Sequence, residues 1–311
     1  MQSSSRLFPV ALSATEMAGE LYEDVYHMKP GVSTDPTVRL AVTRVRDPAW
    51  QGERFPVVLL HSEFHNRRLW LTPMGEGFAG LLASYGYDVW LPEMRGHGLS
   101  PGNRDWAKGH EALLAEEDLP PVHRFVAEQS GHEPAWVGQG LGARLLAHVM
   151  IHNHQLLQLI PAAVFIDPGS PGSHWTTRVM SFFERLNLGR HERVSGPRRG
   201  WGPEDEPSFL LRDIHRSQRR YRRRRPHPIY DSLRVIRCPT LSVSLASDEE
   251  ARTFAGLLGG QVRQTLVASR YETARSGEEG CTLAPAIQND MRAWLDEVCR
   301  ISQPEPFSRA L

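Results

Sequence analysis

Val137-Gly138-Gln139-Gly140-Leu141-Gly142-Ala143-Arg144 is the stretch whose reading decides the fold. The apolar run Ala135-Trp136-Val137 leads into it, and a helical pattern from Leu141 to His154 leaves it. A strand that turns directly into a helix needs small residues at the bend, and Gly138, Gly140 and Gly142 supply them. The first turn of such a helix leaves N–H groups without intrahelical partners, aimed out of the bend.

Outward from this turn the chain alternates between strand and helix patterns. Val38 to Arg46 alternates apolar and polar residues, the period of a half-buried strand, and Tyr22 to Met28 is its candidate antiparallel neighbour. Val57-Val58-Leu59-Leu60 is apolar without alternation, as expected of a central strand in a parallel sheet. Further strands are read at Tyr87 to Leu91, Ala162 to Ile166, Thr240 to Leu245 and Val262 to Val267. Helical patterns run from Gly77 to Tyr85, from Glu111 to Gln129 with a break at Pro120-Pro121, from Glu249 to Leu258 and from Ala284 to Val298. This order implies a mainly parallel sheet covered by helices. Residues 170–232 interrupt it, rich in Pro, Gly and Arg, with no clear strand. The expected division is therefore a core of residues 1–169 and 233–311 with an inserted irregular cap at 170–232.

Four motifs in sequence order resemble the α/β-hydrolase fold superfamily, in its esterase- and lipase-like branch. The Gly138 to Gly142 turn stands where that family carries G-x-S-x-G, the nucleophile elbow. Val57 to Trp70 resembles the strand and loop that supply an oxyanion-hole N–H. Leu81 to Pro101, containing Arg95-Gly96-His97-Gly98-Leu99-Ser100, resembles the family's R-G-H-G-x-S segment. Cys238 to Glu249 resembles the strand that ends at the catalytic acid, which places that acid at Asp248. Together these cover roughly residues 55–150 and 234–300. The resemblance implies an α/β-hydrolase fold and donors at the N–H groups of Glu63 and Leu141.

The departures are as informative. The nucleophile position is Gly140, which has no side chain to attack with. The family's catalytic His follows the last strand, but the last histidine of this chain is His227, and Gly280-Cys281 stands about where a Gly-His pair is expected. Ser62 replaces the usual loop glycine, and Glu63 brings a carboxylate beside a hole meant for negative charge. A nucleophile needs an adjacent base, and the acid only orients that base. The vestigial triad positions are thus Gly140 and Asp248, within a pocket region of His61, Ser62, Glu63, Gln139, Gly140 and Leu141. Asp248 also reads as an N-cap for a helix starting at Glu249. Asp167, in Asp167-Pro168-Gly169, reads as a turn, and His97 as a structural residue. Ser62 and Cys281 are the conceivable replacement nucleophiles. His152 and His154, two apart on a helix, do not share a face, and no metal or cofactor is expected.

Composition narrows the partners. The 311 residues carry no formal net charge and ordinary proportions of hydrophobic (40%) and charged (23%) residues, so nothing global points to nucleic acid or membrane. Three separated cysteines suit a reducing, cytoplasmic setting. Leu7 to Leu12, interrupted by Pro9, makes a poor secretory signal. Arginine is concentrated in the cap, at Arg219, Arg220, Arg222, Arg223, Arg224 and Arg225, where an anionic surface could be met, although a solvated surface segment explains the run equally simply. The expected function is a catalytically inactive homologue that uses the former pocket or the cap to bind a small apolar or acyl ligand or a partner. An ester or lipid hydrolase with an unusual nucleophile, and an adaptor acting through the Arg-rich segment, remain as alternatives.

Overall fold

A computed structural model describes residues 3–168, 192–222, 229–245, 248–260, 263–267 and 283–300. Every strand read from the sequence is present, and three more, β1, β8 and β9. The strands are β1 Val10–Ala18, β2 Leu21–Met28, β3 Leu40–Arg46, β4 Phe55–Leu60, β5 Tyr87–Pro92, β6 Ala135–Gln139, β7 Ala163–Ile166, β8 Arg193–Ser195, β9 Asp205–Pro207, β10 Thr240–Ser244 and β11 Arg263–Val267. Nine of them form one sheet in the order β1-β2-β3-β5-β4-β6-β7-β10-β11. The pairings from β5 through β11 are parallel, and those of β1, β2 and β3 with their neighbours antiparallel.

The chain reverses its direction of winding at β4, which is flanked by β5 on one side and β6 on the other. The crevice beyond the carboxyl ends of two strands at such a reversal is where open α/β sheets present a site. Here those ends carry His61-Ser62-Glu63 after β4 and Gly140 after β6.

Helices cover both faces: α1 Phe78–Ser84, α2 Leu119–Ser130, α3 Leu141–His152, α4 His154–Leu159, α5 Ser208–Arg222, α6 Asp248–Leu257 and α7 Pro285–Arg300. One core lies between the sheet and α2 and α3, around Trp90, Phe125, Trp136 and Phe165. The other lies beneath α1 and α7, around Val57, Leu59, Phe78 and Trp294. Val57 to Leu60 are essentially without solvent exposure, as a run apolar on both faces requires. No helix among the described residues is long and apolar enough to cross a membrane.

Three details differ from the sequence reading. Residues 10–18, part of which was weighed as a signal, form edge strand β1; its interior is mostly exposed, so it carries no apolar periodicity. Pro120 and Pro121 do not interrupt a helix but sit in the first turn of α2, where a missing N–H costs nothing, after a π turn at Leu114–Asp118. Between β7 and β10, the short antiparallel pair β8–β9 and the 15-residue α5 give order to a segment read as irregular.

Candidate functional site

The turn after β6 has the conformation its glycines suggest. Gly140 adopts φ 53° and ψ −117°, a region in which a side chain is strained. A Cβ on Gly138 would stand 2.6 Å from the Ala143 amide nitrogen, and one on Gly142 would stand 2.6 Å from the carbonyl oxygens of Leu60 and His61. The two flanking glycines are therefore demanded by the close passage of helix α3 over the strand ends.

At Gly140 the obstruction is different. A Cβ there would meet the Ser62 hydroxyl at 2.1 Å and Glu63 Oε2 at 2.6 Å. These atoms fill the space that a side chain at position 140 would enter. Glu63 Oε2 accepts the Leu141 N–H at 2.9 Å and the Ser62 O–H at 2.7 Å. The carboxylate thus lies on the free donor at the start of α3, a favourable place for a negative charge. Sequence reasoning brought Ser62, Glu63, Gly140 and Leu141 together; the direction of the Glu63 side chain it could not give.

His61 faces away from this cluster. Its Nδ1 donates to the Ser62 carbonyl at 2.9 Å, since a carbonyl can only accept, and its Nε2 accepts the Met94 N–H at 3.0 Å. Full burial, reinforced by the neighbouring His97, lowers its pKa well below the ordinary imidazole value, so it is neutral with both nitrogens engaged by backbone. Gln139 is buried at the end of β6.

His97 is held by the segment between β7 and β10. Its Nδ1 donates to the Arg95 carbonyl at 3.1 Å and its Nε2 to Glu206 Oε1 at 3.1 Å. Burial alone would lower its pKa, but the Glu206 carboxylate overrides burial and pushes it up to about 9. His97 is therefore a charged imidazolium in a buried ion pair. Glu206 Oε1 also accepts the Phe64 N–H at 2.9 Å, and the Phe64 carbonyl accepts the Glu204 N–H at 3.0 Å. Glu204 Oε1 accepts the Gly98 N–H at 3.0 Å. Phe64 has φ 60°, unusual for a bulky side chain, and is wholly buried against Val194, Trp201 and Leu211. The segment clamps the residue that follows Glu63 at its N–H, its carbonyl and its ring.

Asp167 has a structural role, and Asp248 is described only in its backbone. Asp167, at the end of β7 with φ 43°, accepts the Leu245 N–H at 2.9 Å and ties β7 to the end of β10. Helix α6 begins at Asp248 itself, one residue before the start read from the sequence, so Asp248 belongs to its first turn; its side chain lies outside the described residues. Cys281 and Arg223 to Arg225 also lie outside them. Arg219, Arg220 and Arg222 belong to α5. His152 ends α3 and His154 begins α4, with Asn153 as the cap between them.

A cavity of about 250 Å³ opens beside the cluster rather than within it. Met94, Trp106, Leu113, Leu114, Pro207 and Leu210 give it apolar walls, and His97, Glu206 and Lys108 also line it. No feature of the sequence marked this space, because its walls come from three separate segments.

A strand-turn-helix elbow at the reversal point of a parallel sheet, facing the loop that leaves the neighbouring strand β4, fits the α/β-hydrolase architecture. The profile of the alpha/beta hydrolase family matches residues 57–298, and the chain belongs to that family. Among curated proteins it is 28% identical to lipase member N of Mus musculus over 134 residues, 37% of this chain and 32% of that protein. It is 26% identical to triacylglycerol lipase 2 of Arabidopsis thaliana over 171 residues, 52% of this chain and 40% of that protein. The chain thus spans less than half the length of these relatives. Among solved structures, a cold-adapted esterase from an Arctic intertidal metagenomic library matches with a TM-score of 0.56 at 12% identity, over 93% of this chain and 99% of that one; this likeness concerns the fold.

Proposed function

We propose that this member of the alpha/beta hydrolase family is not a hydrolase but a binding protein, with its oxyanion site closed by its own Glu63. The observation that carries this reading is the Glu63 carboxylate on the Leu141 N–H. An acyl-transfer site must offer that donor to the oxygen on which charge develops. Gly140 adds no nucleophile, and the sequence after His227 holds no histidine to serve as base. Among the described residues, Ser62 brings a hydroxyl to the site. Its proton is directed to Glu63, while His61 and His97 are committed to backbone and to Glu206. Were Glu63 to act as the base for Ser62, it would occupy the very donor that the resulting oxyanion needs. The segment between β7 and β10 then acts as a cap, and the apolar cavity beneath it suits a small apolar or acyl-type ligand.

The test is hydrolysis of short- to long-chain aryl esters by the purified protein and by Gly140→Ser, Ser62→Ala and Cys281→Ala. Absence of turnover above buffer in the native protein supports the reading. Turnover that disappears in Ser62→Ala or Cys281→Ala overturns it and names the nucleophile.

A further inference from the structure

A second cluster of ligand-type side chains lies away from the elbow. His148 and His152 are four residues apart on α3, so they share a face one turn apart. Their rings stack with centroids 4.3 Å apart. Opposite them Glu116 projects from the π turn Leu114–Asp118, with its Oε1 3.0 Å from His148 Nε2. One ligand-type atom from each of the three residues lies within 4.8 Å of the others.

We propose that Glu116, His148 and His152 form a binding site for a divalent transition metal, zinc(II) in the first place, with water completing the coordination. Two imidazoles and one carboxylate are a donor set that suits zinc, whereas calcium and magnesium call for oxygen ligands. Two ligands of a tetrahedral zinc at ordinary bond lengths stand about 3.3 Å apart. The separation of His148 Nε2 from Glu116 Oε1 is within a few tenths of an ångström of this, so the metal takes the place of the proton the two share. His148 Nδ1 is buried with no hydrogen-bond partner, so moving the ring proton there displaces nothing at Nδ1, and the bond given up is the Nε2–Glu116 one that the metal replaces.

His152 is already in the tautomer a ligand needs. Its Nδ1 lies 2.9 Å from the His148 carbonyl, which can only accept. Nδ1 therefore carries the proton, and Nε2 keeps its lone pair, with the ring oriented by the same bond that metal-ligating histidines commonly make. A plain ion pair of Glu116 with His148 accounts for one imidazole; it gives no reason for a second one stacked on the first. A metal here fastens the π turn to the helix that opens at the elbow. The His-x-x-x-His spacing was visible in the sequence, one turn upstream of the His152–His154 pair that was read as unfit for a metal.

The experiment uses tag-free, chelator-stripped full-length protein, titrated with zinc(II) against a chromophoric indicator and with cobalt(II) by visible absorption. The expected result is one equivalent bound, with absorption bands of four- or five-coordinate cobalt. His152→Ala, at an exposed position, and Glu116→Gln are expected to weaken zinc binding by more than about tenfold. His154→Ala is expected to leave it unchanged. Equal affinity of the native protein and His152→Ala, or no binding at tens of micromolar zinc, overturns the proposal.

Discussion

The Glu63 carboxylate and the Leu141 amide stand 2.9 Å apart, joining the loop after β4 to the first residue of α3. The bond satisfies a helix-start donor that has no partner within its own helix. It also engages the Ser62 hydroxyl, so one oxygen serves two donors. Glu63→Ala leaves both donors without that acceptor, and the expected loss of stability is about 1–3 kcal/mol. Glu63→Gln retains an acceptor oxygen and is expected to lose less. Urea unfolding of the two variants separates the cases, and equal losses would show that the carboxylate's bond to Leu141 carries no weight.

Gly140 and Glu63 compete for one space. A Cβ at position 140 collides with Ser62 Oγ and Glu63 Oε2, both ends of side chains rather than backbone. Gly140→Ala is therefore expected to push Glu63 off the Leu141 amide, with backbone strain at φ 53° in addition. In Glu63→Ala the same substitution meets one obstacle fewer. A double-mutant cycle is expected to show a coupling of about 0.5–2 kcal/mol, the pair costing less than the sum of the single changes. Strict additivity in urea unfolding would mean that the two residues do not share the space.

How much of this was legible follows from the range over which each feature is determined. The elbow was legible because Gly138 and Gly142 are demanded by local backbone packing, and Val57 to Leu60 because burial on both faces leaves no polar position. Strand β1 was not, because as an edge strand with an exposed interior it shows no pattern. The short strands β8 and β9 span three residues each, too few for any period to show. The nearness of Glu63 to Gly140 and Leu141 was legible, but the direction of its side chain was not. That direction follows from the left-handed Phe64, which is fixed by Glu204 and Glu206 about 140 residues further along the chain. The sequence reading of His97 as structural named no partner, because Glu206 lies in the segment that carried no pattern.

Phe64 offers a direct measure of the strain stored at this turn. Its ring is wholly buried, so both Phe64→Ala and Phe64→Gly forfeit the packing of the ring, and glycine loses the Cβ as well. They differ in backbone: alanine keeps the strain of φ 60°, and glycine relieves it, although glycine also loosens the unfolded chain. The expectation is that Phe64→Gly is more stable than Phe64→Ala by about 1 kcal/mol. Chemical denaturation of the pair reports the difference. Glycine less stable than alanine would place Phe64 outside the left-handed region in solution.

The His97–Glu206 pair predicts how stability depends on pH. His97 has a pKa of about 9 in the folded protein against an ordinary value of 6.5. Because the folded value is the higher one, the folded state binds more protons between these limits, and stability falls as pH rises through them. The contribution is fully present below about pH 6.5 and is lost as pH passes 9. Its full size is on the order of a few kcal/mol. Glu206→Gln removes the charge that raises the pKa while leaving an acceptor for the Phe64 N–H, so its unfolding midpoint is expected to change little over the same interval. The comparison to make is the urea midpoint of both proteins at pH 6, 7.5 and 9. A native midpoint that declines no more steeply than that of Glu206→Gln would mean that His97 is neutral. The segment between β7 and β10 would then be held by neutral hydrogen bonds and apolar packing around Phe64, without the ion pair.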